Sequence, residues 1–378
     1  MQSKTCPFAQ LLKTTLEALY HFIFQPVSQS PLAPHLLRAP WPRPRPRWVF
    51  HTGDVILTGS SRPLVKLWRL TEGGDALASE ASLKLTAPPS CIQCSKDQNR
   101  VAVCVQDGTI LLFDLRESHQ SPQVISTAMA ESNCVAFLDD IRLAAGGCSG
   151  KISLWDLRRM SLEEEIPAYM ENGDSKWEGG QATSCASVSQ APKRRRSGAA
   201  SSKVTDVFRE SVSCLCTNHD GSLLACGRAS GSVGLLRLPS LQWVTADLQA
   251  HTSSSAAVRS LSFDQRSKVL LSGGDDRTIC LMDASDWVQR RRKPPVERFP
   301  AHSKRITAVQ VCPDPSEQLV VSASWDGLVK LWDLQTQQLR QKFDHRPSPV
   351  TAVAFAPIDG RFFVTGGGDA SLVLYAKR

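Results

Sequence analysis

"SASWDGLVKLWDL", residues 322–334, reads as the end of a strand, a tight turn and a second strand. Asp326 and Gly327 mark the turn, and Trp332 follows the Asp by six residues. Whether this stretch is a catalytic site or a structural unit depends on whether it recurs.

It recurs. The same step from turn residue to large residue pairs Asp276 with Met282, Asp369 with Tyr375 and Asp107 with Phe113. It also pairs Ser149 with Trp155, Ser230 with Leu236 and Arg62 with Trp68. These are seven units in all. The large residues are 45, 42, 81, 46, 50 and 43 residues apart. The long step is one ordinary period plus a surplus of roughly 35–40 residues.

A second element precedes most units. "ITAVQV" (306–311), "VTAVAF" (350–355), "VRSLSF" (258–263), "VSCLCT" (212–217), "SNCVAF" (132–137) and "PSCIQC" (89–94) share one apolar–x–small–apolar template. That alternation is the mark of a half-buried strand. Each unit therefore supplies three strands, and the irregular sequence after it a fourth. Four-stranded units at this period are propeller blades. The predicted fold is all-β, a seven-bladed propeller with a long disordered insertion between blades three and four.

The chain here resembles the WD40-repeat family. "LWDL" at 154–157 and 331–334, "LFDL" at 112–115 and the linker "FPAHSKRITAV" carry the resemblance. It implies a hydrogen-bonded tetrad inside each blade, and blade six has the full set: His302, Ser322, Asp326 and Trp332. Blade five keeps His251, Ser272 and Asp276 with Met282 for Trp, and blade seven keeps His345, Thr365 and Asp369 with Tyr375 for Trp. His302, Ser322 and Asp326 match a hydrolytic triad only in composition. Partial copies at equivalent places indicate a structural device, in which a buried Asp is satisfied by its neighbours. A nucleophilic Ser would also need exposure and an oxyanion site. The chain reads as a non-enzyme.

The propeller is expected over 47–378 and a flexible or helical extension over 1–46. "LLKTTLEALYHFIF" (11–24) is apolar but carries Lys13, Glu17 and His21, too short and polar to span a bilayer. It reads as an amphipathic helix or targeting peptide. The chain ends just after the third strand of blade seven, so a closing strand must come from before residue 47. "PWPRPRPR" lacks the N–H groups for a ladder, and "YHFIFQPV" (20–27) is the expected donor. Net charge is +8, of which the first 50 residues contribute six positive and one negative, leaving +3 for the rest. A nearly neutral ring argues against nucleic acid as partner.

The inter-blade segment 158–208 is rich in Ser, Ala, Gly and charge and is expected to be disordered. Its run Lys193, Arg194, Arg195, Arg196, Ser197 reads as a nuclear-import or kinase segment, or as a solvated basic loop. A second run, "QRRRKPP" (289–295), is expected between blades five and six. There are 12 cysteines, and Cys91 and Cys94 have ligand spacing. Cys91, Cys134 and Cys214 fall on the small-residue position of the strand template, however, so they read as packing residues. No metal site or cofactor is predicted, and "GGCSG" and "GGGD" are blade turns rather than phosphate loops.

Function then rests on surfaces. The resemblance places the turn between second and third strands on the narrow face, with Trp325 projecting there beside the turn Asp. Lys304, Arg305, Arg259 and Asp275 are expected nearby. Blade order also resembles the WD40 proteins that target the γ-tubulin ring complex to centrosomes and spindles. A blade one without a clear first strand, "SGSVGLL" in blade four and "HTSSSAAVRSLSFDQRSKVLLS" in blade five carry that likeness. It implies a scaffold or adaptor with protein partners and no small-molecule substrate. The expected location is cytoplasm, centrosome or spindle, with the nucleus open. A subunit of a ubiquitin-ligase, RNA-processing or chromatin complex is the alternative.

Overall fold

The computed structural model describes residues 37–40, 46–52, 55–70, 77–97, 99–115, 122–126, 132–167, 211–252, 256–290, 294–356, 362–369 and 371–376. They form seven antiparallel four-stranded sheets, six of which keep their strands in chain order. Blade six, for example, runs Ile306–Val311, Leu319–Ser324, Leu328–Asp333 and Leu339–Asp344. The first strands touch one another around a closed circuit, and the last, Val350–Phe355, meets the first, Pro46–Thr52. First strands therefore line a central channel, and fourth strands face outward. Burial follows: Leu319–Ser324 is almost wholly buried, while Leu339–Asp344 is exposed except near Phe343.

The first-strand template has a geometric cause. In blades two to seven the register shifts after the first residue of this strand, as between Ile306 and Ala308 or Val212 and Cys214. Such a bulge increases local twist and brings the third residue against the neighbouring blade. Space there is scarce. A Cβ on Gly227, across from Cys214, would lie 2.6 Å from the Cys214 sulfur and 2.7 Å from Val258 Cγ1 of the next blade. A Cβ on Gly146, across from Cys134, would lie 2.6 Å from Val212 Cγ1. Small residues at the template position are thus a packing requirement of the seams.

The seventh sheet is closed by Leu37–Pro40, which pairs with Ser371–Ala376 from Leu37↔Leu374 to Pro40↔Ser371. The strand expected at 20–27 lies outside the described residues, as does the segment 11–24. The residues that close the ring lie nearer blade one, and Pro40 sits at the end of the ladder, where a missing N–H costs least. The closing strand therefore comes from before residue 47, within the segment 1–46. Blade one itself begins at Pro46.

Two inter-blade expectations shift. Ser161–Pro167, inside the expected segment 158–208, is the outer strand of blade three. The insertion between blades three and four spans 168–210, and Lys193, Arg194, Arg195, Arg196 and Ser197 fall there, outside the described residues. The run at 289–295 lies within blade five, not between blades five and six. It follows a short helix, Ala284–Arg290, placed between the third strand Thr278–Asp283 and the fourth strand Val296–Pro300. Residues 291–293 lie outside the described residues. Asp283 starts the helix by accepting the Asp286 N–H at 2.8 Å, an N-cap bond. Trp287 is fully buried and donates its indole N–H to Thr245 of blade four at 2.9 Å.

Candidate interaction surface

In blade six the tetrad is complete. His302 Nδ1 lies 3.0 Å from Asp326 Oδ2, and His302 Nε2 lies 2.8 Å from Ser322 Oγ. Trp332 donates its indole N–H to the same Ser322 oxygen at 2.8 Å. Ser322 is fully buried and Trp332 is 7% exposed. This hydroxyl is closed off from solvent and bonded to both His302 and Trp332. Blade five repeats the His–Asp and His–Ser contacts at 2.8 and 2.9 Å, with Met282 buried in place of Trp. In blade seven the Tyr375 hydroxyl reaches His345 Nε2 at 2.7 Å, and Thr365 lies 3.3 Å from it.

The two histidines of blades five and six differ electrostatically. Burial pushes His251 down, but the Asp276 carboxylate and then the Cys280 thiol outweigh it and raise its pKa to about 9. Burial also pushes His302 down, and there it prevails against Asp326, with Lys330 adding to the depression. Cys280 and Lys330 occupy the same third-strand position. The two histidines thus shift in opposite directions, chiefly through the balance of burial against the bond to the turn Asp. Both acids are held below the usual carboxylate range despite burial, Asp276 chiefly by its bond to His251 and Asp326 chiefly by the adjoining His302 and the Ser303 N–H.

The tetrad also positions the surface. Asp326 Oδ2 accepts the Ser303 N–H at 3.0 Å. Ser324 Oγ donates to the carbonyls of Lys304 and Arg305 at 3.1 and 2.9 Å, and the Trp325 N–H donates to Arg305 at 3.1 Å. Linker 303–305 and turn 324–327 are therefore one rigid piece. On it the Arg305 guanidinium stacks 3.3 Å from the Trp325 ring centroid, and Trp325 stays 44% exposed. Lys304 is exposed beside them. In the neighbouring blade Arg259 donates to both oxygens of Asp275, at 2.8 and 2.5 Å. The structure thus brings together Trp325, Arg305 and Lys304, and separately Arg259 with Asp275.

Arg259 also lines the central channel, a cavity of about 360 Å³ whose walls include Gln93, Lys96, Thr307 and Gln310. Its position in the first strand is informative. In blades two, three, four and six that second residue is Ser90, Asn133, Ser213 or Thr307, and each donates to the first strand of the next blade. The acceptors are the carbonyls of Ser132, Val212, Val258 and Val350, at 2.5, 3.1, 2.6 and 2.9 Å. This belt was not anticipated, although the template position that carries it was legible. Blade five replaces the short donor by Arg259. Its seam with blade six is joined deeper in the channel, where Ser260 Oγ donates to the Val309 carbonyl and accepts the Val309 N–H, at 3.0 and 3.1 Å.

Cys91, Cys134 and Cys214 stand at the packing position of the seams. Burial pushes the Cys91 thiol up to about 11 and raises Cys134 and Cys214 as well, so all three are inert thiols. Blade one holds a pair not foreseen: Trp68 donates to Thr58 Oγ1 at 2.8 Å. In blade three the buried Trp155 indole N–H has no hydrogen-bond partner. Among the described residues no helix is long and apolar enough to cross a membrane.

The WD domain, G-beta repeat family matches residues 243–283, 293–333 and 337–375. Each match runs from the outer strand of one blade through the third strand of the next, the stagger that obliges an N-terminal strand to close the ring. The chain is 26% identical over 309 residues to telomerase protein component 1 of Mus musculus, covering 78% of this chain and 11% of that protein. It is 23% identical over 297 residues to apoptotic protease-activating factor 1 of Danio rerio, covering 78% and 22%. A 74-residue stretch is 36% identical to small ribosomal subunit protein RACK1y of Oryza sativa subsp. japonica, covering 20% and 22%. The chain therefore spans about a fifth or less of the first two relatives.

Proposed function

We propose that this chain, a WD40-repeat propeller, is a non-catalytic scaffold that binds protein partners through the narrow face of blades five and six. One observation carries this. Four large hydrophobic side chains are exposed among the described residues. Val124, Leu162 and Leu339 lie on outer strands, at blade edges. Trp325 alone projects from a turn, and it is held flat by Arg305. A rigid, half-exposed aromatic beside cations is the chemistry of an interface hot spot, and its fixed geometry limits the entropy lost on binding.

Trp325→Ala should weaken the main partner by about 1–2 kcal/mol with the melting temperature unchanged. Lys304→Glu and Arg305→Glu should act in the same direction, mostly through association rate and salt dependence. Pull-downs of the three variants beside thermal melts test this. Unchanged binding in all three removes the narrow face as the working surface.

The finer form of the reading is recruitment of γ-tubulin complexes at centrosome or spindle, supported by the order of blade irregularities in the sequence. Affinity purification with mass spectrometry separates it from a ubiquitin-ligase, RNA-processing or chromatin complex. Co-purification of γ-tubulin complex subunits supports it, and a consistent set of other subunits replaces it.

A further inference from the structure

We propose that Ser161 is a phosphorylation site for a protein kinase that selects arginines two and three residues before its target serine. The stretch is Arg158-Arg159-Met160-Ser161-Leu162. It forms the turn into the outer strand of blade three, at the end of the blade opposite the turn between its second and third strands. The site is independent of the narrow-face reading.

Three properties make it a substrate. First, both determinants are presented. The Asp156 carboxylate accepts the N–H groups of Arg158 and Arg159 at 2.7 and 3.3 Å. This fixes the turn with the Arg158 side chain 65% exposed, its guanidinium 3.3 Å from Asp156 Oδ2, and with Arg159 exposed. Two arginines held toward solvent are what an acidic kinase groove recognises. Second, the hydroxyl is available. Ser161 is exposed, and its side chain makes no hydrogen bond among the described residues. Other turn serines are engaged: Ser316 bonds Asp314, Ser371 bonds Asp369 and Ser285 bonds Asp283. Third, the segment is easily drawn out. Met160 has φ 51°, a left-handed conformation unfavourable for an L side chain that is released on extension. The outer strand has a partner on one edge only, and Ser161 is its first residue, facing Asp156 at the ladder's end.

In the transfer, Ser161 Oγ attacks the γ-phosphorus of a kinase-bound nucleoside triphosphate. The Oγ–P bond forms as the bond from γ-phosphorus to the β–γ bridging oxygen breaks. The diphosphate leaves with that electron pair, and the hydroxyl proton passes to a carboxylate of the kinase. The product carries about −1.5 to −2 charge at pH 7. It is flanked by Arg158 and Arg159 on one side and by Glu163, Glu164 and Glu165 on the other. The phosphate thereby offsets the two arginine charges of an exposed basic turn beside Glu163 and Glu164.

The test uses the full chain carrying Ser197→Ala, because Ser197 follows another arginine run. The folded protein is incubated with an arginine-directed serine kinase and ATP, and phosphate is located by peptide mass spectrometry. One phosphate on Ser161 is expected, absent after Ser161→Ala. Arg158→Ala with Arg159→Ala should slow its transfer by about tenfold or more. Thermal melts confirm that all variants are folded. The proposal is overturned if the folded chain takes no phosphate at Ser161, if only heat-unfolded chain is modified, or if the arginine variant is modified at the parental rate.

Discussion

Trp155 and Trp332 occupy the same place in blades three and six, yet only one has a partner for its indole N–H. Trp332 donates to Ser322, and Trp68 of blade one to Thr58. The equivalent of these hydroxyls in blade three is Ala145, fully buried and paired with Ser153. Ala145→Ser should raise stability by about 1 kcal/mol, since it satisfies a buried donor. Its own hydroxyl can donate to the Ser153 carbonyl, as Thr58 does to that of Lys66. Urea unfolding checks this, and an unchanged midpoint would mean the indole is satisfied otherwise. Asp326→Ala should cost about 2–4 kcal/mol by orphaning His302 and the Ser303 N–H, read in the same assay. A folded, equally stable Asp326→Ala protein would refute the buried network.

The two histidines give opposite pH signatures. His251 titrates near 9 in the folded chain, above its unfolded value of about 6.5. The stability it adds is complete below about pH 6.5 and is lost as pH rises toward 9. His302 is depressed in the fold, so its contribution is present above about pH 6.5 and is lost as pH falls below that. His251→Asn should therefore cost more at pH 6 than at pH 9, and His302→Asn more at pH 8 than at pH 5. Denaturant titrations at those pH values read both, and parallel profiles for the two variants would contradict the opposite shifts of His251 and His302.

At the scale of elements, the strands with a repeated alternation of packed residues were legible, and the short elements without a repeat were not. The first-strand template could be read because its small third residue faces a seam with no room for more. Leu37–Pro40 could not, because four residues pair with Ser371–Ala376 without a periodic pattern, and prolines argued against that neighbourhood. The helix Ala284–Arg290 escaped notice because seven residues around one buried Trp287 leave no helical repeat to count. The surface group was half legible. The register pointed to Trp325, but its stacking on Arg305 and the Arg259–Asp275 pair needed coordinates. Removing residues 1–41 should leave Ser371–Ala376 as a bare strand edge, which invites self-association. Light scattering and a lowered melting temperature are the expected outcome. A monodisperse truncated chain with the parental melting temperature would show that blade seven does not depend on this strand.

For the whole molecule, the ring keeps its packing in the seams between neighbouring blades and tolerates length at its periphery. The insertion 168–210 joins the outer strand of blade three to the inner strand of blade four. Loop length carries only a logarithmic closure cost. Deleting residues 170–203 should therefore leave a cooperative melting transition. Loss of that transition would mean that the segment contributes to the ring.

The hydroxyl and amide belt along the channel works like hoops on a barrel, seen at the seams after blades two, three, four and six. Between blades five and six the fastening gives way to Arg259, while Ser260 and Val309 stitch the wall below. A guest entering the channel at that seam would meet a guanidinium clamped by Asp275 where the neighbouring seams offer a short hydroxyl.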